Sequence, residues 1–202
     1  MKKADPTKQE RAPRARILRA ARELFCTRGI RCVSVDEIAI AAETNKMTLY
    51  RHFESKDLLV AEYLKSLIAC AISREEAIAR AHPNDAHAQL CELISGAADD
   101  LCAGWLRGCP IVNAAVEFPE KGHPAREVIE DSMKQRHERL IKLCREAGFV
   151  EPTQLAEELL LLFEGARACV NAQSEVRFDP ASRFKDMAYG LLNSHARRAQ
   201  AT

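Results

Sequence analysis

Residues 34–56, SVDEIAIAAETNKMTLYRHFESK, constrain the fold more than any other stretch of this 202-residue chain. Ser34 stands three residues before Glu37, so its hydroxyl can accept from the Glu37 N–H while the Glu37 carboxylate reaches back, a reciprocal cap that starts a helix. The helix is short, and Ile38, Ala39 and Ala42 form its inward face, the alanines being small enough to let a second helix cross closely. Thr44 or Asn45 can cap that second helix. Leu49 and Phe53, four apart, give it a buried stripe and leave Lys46, Met47, Thr48, Tyr50, Arg51 and His52 to other faces. Lysine and arginine meet phosphates or guanine edges, threonine serves a phosphate or a thymine methyl, and a tyrosine hydroxyl donates to a phosphate. A helix of this length fits the major groove of DNA.

The run T-L-Y-x-H-F-x-S-K from Thr48 to Lys56, with Ile38, Ala39, Ala42 and Lys46, resembles the DNA-binding domain of the TetR family of transcriptional regulators over residues 14–64. The resemblance implies an all-α fold of about nine helices, an N-terminal three-helix helix-turn-helix domain followed by a C-terminal helical ligand-binding and dimerisation domain. It places Ser34, Lys46, Met47, Thr48, Tyr50, Arg51, His52 and Lys56 at the DNA. One position departs from the family: its turn usually carries glycine where this chain has Glu43, and a positive φ there costs a non-glycine residue ~1 kcal/mol, so either the turn is slightly re-shaped or the strain is absorbed.

Composition agrees with helices. Apolar residues make up 47% and aromatic residues 5%, with eight glycines and few β-branched runs. Residues 1–57 hold thirteen Lys and Arg against eight Asp and Glu, while the remainder holds seventeen against twenty-one, so the basic part is the part with the helix-turn-helix. The polar start MKKADPTKQERAPRAR has no apolar signal core and no apolar run is long enough to span a bilayer, which predicts a cytoplasmic protein without membrane contact. Eight cysteines, none in C-x-x-C spacing, read as reduced and mostly buried thiols.

The division follows as a charged tail over 1–13, a DNA-binding domain over 14–57 and a regulatory body over 58–202. The tail reads either as a basic arm or as a solvated extension. Ile17, Leu18, Ala21, Leu24 and Phe25 recur on one helical face that ends at Gly29, and Phe25 and Phe53 read as core. Ser55 caps a long helix to about Ala81. Asn84 or Asp85 caps the next, Pro110 opens a short one, and Gly148 stops a long one begun at Pro124. Two more follow, over about 153–172 and from Pro180. The first of these is apolar on more than one side and so needs partners on more than one side. The resemblance implies that the last two helices pair with those of a second copy, which makes a homodimer on an inverted repeat.

No common catalytic or phosphate-binding signature occurs, and no catalytic residue, metal or cofactor is expected. The pairs Glu75–Glu76, Asp99–Asp100 and Glu157–Glu158 read as solvated helix faces. Trp105, Phe118, Phe163, Arg167 and Asn171 are candidates for lining a small-molecule pocket, with Arg167 and Asn171 following Phe163 on one stripe. The best reading is a repressor of a double-stranded DNA operator, released by a small effector. Its rival is a cysteine-based redox or metal sensor with a vestigial DNA reader, to which Cys26 with Cys32 and Cys102 with Cys109 would belong.

Overall fold

The computed structural model describes residues 12–103, 108–172 and 179–200, with only the backbone of 171, 172 and 197–200. Among these residues the chain is all-helical, with nine helices and no strand. They are α1 (Pro13–Arg28), α2 (Val35–Ala41), α3 (Lys46–His52), α4 (Lys56–Ala81), α5 (Ala86–Cys102), α6 (Pro110–Glu117), α7 (Pro124–Glu146), α8 (Pro152–Ala172) and α9 (Pro180–Gln200). Local chemistry sets the bounds that the sequence suggests. Asn45 rather than Thr44 caps α3, Asp85 rather than Asn84 caps α5, and Ser55 Oγ accepts from the Leu58 N–H at 3.1 Å. Gly148 ends α7 at φ 84°, its N–H on the Arg145 carbonyl and the Phe149 N–H on the Cys144 carbonyl, a paired closure that only a left-handed residue permits cheaply.

Two compact units divide the chain: one holds residues up to 68 together with 110–130, the other 69–109 and those from 131 onward. The boundary falls inside α4 and α7. In unit one, Ile17, Phe25, Ile38, Leu49, Phe53, Leu59 and Tyr63 close a single apolar core to which Ala114, Phe118 and Ile129 also belong. Phe25 meets Tyr63 edge-on with ring centroids 5.3 Å apart, and the Arg14 guanidinium lies 4.9 Å from the Phe53 ring centroid. Phe25 and Phe53 are therefore core, as the periodicity suggests.

Unit two packs α5, α8 and α9 around Leu90, Ile94, Leu155, Leu159, Phe184 and Leu192. Phe163 stacks at an angle on Phe184 with centroids 5.4 Å apart. Leu161 on α8 and Met187 on α9 stay exposed, so α8 is apolar beyond the side it buries.

Two expectations fail in this unit and elsewhere. The carboxylate pairs are not simply solvated: Glu75 reaches Arg139 at 2.8 Å, Asp100 reaches Arg74 at 2.7 Å and Glu158 reaches His195 Nε2 at 2.9 Å. Glu75 and Asp100 meet arginines on neighbouring helices, and Glu157 as well as Glu158 meets a histidine on one, His137 at 3.4 Å and His195, which adjacency in sequence does not reveal. The thiols are also less buried than expected, with Cys109 and Cys144 alone buried and Cys32, Cys70, Cys102 and Cys169 exposed.

Candidate nucleic-acid interface

The surface built by α2, α3 and the turn between them begins with the Ser34 cap. Ser34 Oγ accepts from the Glu37 N–H at 3.2 Å, and the Ser34 N–H donates to Glu37 Oε2 at 2.7 Å. Arg28 Nη1 lies 2.7 Å from the other Glu37 oxygen, a link from the end of α1 that residue spacing does not suggest. Hydrogen bonds from Ser34, through its N–H and then its hydroxyl, and from Arg28 hold the Glu37 carboxyl at about 2, below its ordinary 4.5. With the folded value the lower, this cap stabilises fully above about pH 4.5 and is lost as the pH falls through about 2.

The turn is tight. Glu43 adopts φ 50°, the Glu43 N–H bonds the Ile40 carbonyl at 3.0 Å and the Thr44 N–H bonds the Ala39 carbonyl at 2.9 Å. A non-glycine residue thus occupies the left-handed position, with Arg16 Nη2 at 3.4 Å from its carbonyl. Glu43→Gly should stabilise unit one by about 0.5 kcal/mol, the relieved strain exceeding the added chain entropy. Urea titration checks this, and destabilisation of the variant would show that the turn carries no strain.

α3 stands on Leu49, which is 0% exposed, and is closed by Phe53. Asn45 Oδ1 accepts from the Thr48 N–H at 2.8 Å. Around that anchor Lys46, Met47, Tyr50, Arg51 and His52 are exposed and Thr48 is half-buried, so one short helix presents all six. Met47, at 73% exposure, has no packing reason to be there. Lys46 Nζ is 3.2 Å from Asp36 Oδ2 on α2, an exposed pair that sequence reading misses because the two residues lie on different helices.

Ser34 and Lys56 stand differently. The Ser34 hydroxyl is used in its cap, and Lys56 Nζ donates to the Ile30 carbonyl at 2.8 Å. Burial lowers the Lys56 pKa, with Asp57 and Glu117 opposing that shift. Of the residues expected to line a pocket, Phe118 belongs to the core of unit one, stacked on His123 with centroids 4.5 Å apart. Phe163 and Arg167 belong to unit two, where the Arg167 guanidinium lies 4.2 Å from the Phe163 ring centroid. Trp105 lies outside the described residues, as does the side chain of Asn171.

Residues 17–63 match the family described as bacterial regulatory proteins, tetR family. Over 65 residues the chain is 38% identical to the HTH-type transcriptional repressor KstR2 of Rhodococcus jostii (strain RHA1). That match covers 32% of this chain, and the chain spans about a third, 32%, of the relative's length. Over nearly its whole length the chain superposes on SCO4454, a TetR-family transcriptional regulator from Streptomyces coelicolor. The TM-score is 0.82 at 27% identity, covering 91% of this chain and 95% of that one. A TetR transcription regulator from Haloarcula marismortui ATCC 43049 shares the fold at 14% identity, with a TM-score of 0.77 over 91% of this chain and 97% of that one.

Proposed function

We propose that this chain, whose residues 17–63 match the tetR family of bacterial regulatory proteins, is a cytoplasmic transcriptional repressor that binds an inverted-repeat operator as a homodimer and is released by a small-molecule inducer. The observation that carries the reading is α3: five exposed polar or flexible side chains and a threonine arrayed on a seven-residue helix anchored by Leu49. In this reading Lys46 and Met47 meet base edges, and Thr48, Tyr50, Arg51 and His52 meet the phosphates beside them. Ser34 and Lys56 hold the frame on which those contacts depend. The functional division runs from a reader over 14–57 to a regulatory body over 58–202.

Support for the dimer comes from the exposed Leu161 and Met187 on α8 and α9, which a second copy would cover. Two copies related by a two-fold axis set their α3 helices roughly 34–36 Å apart, one turn of DNA. The inducer would bind the body near Phe163 and Arg167 and favour a state with the two readers wrongly spaced, through unequal affinity for the two states.

Selection of the purified protein against a pool of random duplex DNA, repeated at two salt concentrations, tests the reading. The expected product is an inverted repeat. Its affinity should fall by about a thousandfold between 50 and 200 mM salt, as six or more neutralised phosphates would dictate. Recovery of no sequence above background would sink the proposal.

A further inference from the structure

Glu117 ends α6, eighty-six residues along the chain from Arg31, yet its side chain is spent on the connection between α1 and α2. One carboxylate oxygen accepts from the Arg31 N–H at 2.8 Å and the other from the Ile30 N–H at 3.4 Å. Arg31 answers: its Nη2 donates to the Glu117 carbonyl, and its guanidinium lies 5.8 Å from the Phe118 ring centroid. On the other side of the same peptide, Lys56 at the start of α4 donates to the Ile30 carbonyl at 2.8 Å. Ile30 thus has its N–H held by an acid from α6 and its carbonyl held by a base from α4, while its side chain is buried in the core of unit one. Four residues further on stands Ser34, the cap that starts α2.

We infer that Glu117 is a positioning residue of the DNA-binding surface, fixing the α1–α2 connection and with it both the Lys56 ammonium and the start of α2. The inference rests on the DNA-binding reading above. A carboxylate is repelled by phosphate, so Glu117 contributes no contact of its own to DNA and acts through what it holds. Its loss frees two backbone donors and removes the charge that faces Arg31 and Lys56. Holding a frame and contacting a phosphate leave different marks on salt dependence. A lost phosphate contact reduces the slope of log affinity against log salt by about one, whereas a misplaced frame lowers affinity at every salt with the slope unchanged.

The test compares the wild-type chain, Glu117→Gln, Glu117→Asp and, as a control at the exposed neighbouring position, Val116→Ala, on DNA recovered from the random pool. Amide exchange at Ile30 and Arg31 in the free protein is the companion measurement. The expected result is faster exchange in E117Q, whose amide keeps one acceptor oxygen where the carboxylate had two, most at Ile30 with its longer bond, and binding weaker by about tenfold at each salt with the wild-type slope. E117D should fall between, and V116A should match wild type. Unchanged exchange in E117Q would overturn the inference whatever the DNA result. Wild-type affinity in an E117Q protein of lowered melting temperature would overturn it as well, leaving Glu117 a purely structural residue. A reduced slope would assign a direct phosphate contact to Arg31 or Lys56 instead. Absence of binding by the wild-type chain itself overturns the DNA reading and this role together, a result distinct from any in which wild type binds and E117Q matches it.

Discussion

Leu49→Ala should destabilise unit one by about 3 kcal/mol and remove sequence-specific DNA binding even where the variant remains folded. Leu49 has no exposed surface and sits in the cluster with Ile17, Ile38 and Phe53. Truncating a buried leucine costs about 2–5 kcal/mol, the larger values where the walls cannot collapse into the space. Whole domains are stable by only about 5–15 kcal/mol, so the loss is a large share of what unit one has. Function should suffer beyond that share. α3 is seven residues long, far too short to persist as an isolated helix, and its orientation is owed to Leu49, Phe53 and the Asn45 cap. With Leu49 gone, Lys46, Met47 and Tyr50 keep their identities and lose their common frame. Denaturant titration by circular dichroism gives the stability, and binding at a temperature where the variant is fully folded gives the function. A folded Leu49→Ala protein with wild-type affinity would mean that α3 is not the reading element.

The contrast between what residue spacing reveals and what it hides follows sequence distance. Ser34 and Glu37, Asn45 and Thr48, Leu49 and Phe53, and Gly148 after α7 all act within one helical turn of their partners, so the pattern of residue types is itself the geometry. At Glu43 the sequence marks the departure but leaves open a re-shaped turn or an absorbed strain, and the φ of 50° shows that the left-handed position is kept. Asp36 with Lys46, Arg28 with Glu37 and Glu117 with Arg31 bridge different elements, and no periodicity announces them. Nor does periodicity decide which side of an amphipathic helix a small residue faces, which is why Cys70 and Cys169 lie exposed. Phe118 shows the same limit: an aromatic residue after a Pro- and Gly-rich stretch reads equally as pocket wall or core, and here it closes the core of unit one beside His123.

Lys46→Ala should cost about 1–3 kcal/mol of binding to the preferred operator and relax discrimination at one base pair in each half-site, if its ammonium reaches a guanine edge as proposed. In the free protein that ammonium is 3.2 Å from Asp36, both side chains being more than half exposed. Such a pair is worth at most ~1 kcal/mol, less than a well-made base contact, so DNA can take the lysine from the aspartate. Asp36 then remains beside the phosphates as an uncompensated negative charge. Two consequences separate this arrangement from a simple cation on the surface. Asp36→Asn, which frees Lys46 in advance and removes the repulsion, should strengthen binding to every sequence by a few-fold, most at low salt. In the Asp36→Asn background, Lys46→Ala should still change base preference, because preference comes from the base edge and not from the ion pair. The measurement is a panel of single-base operator variants titrated with the four proteins of this cycle. Equal losses for Lys46→Ala across the whole panel would move Lys46 to the phosphates. No loss at all would leave Met47 and the exposed flank of α3 beyond it as the elements that choose the sequence.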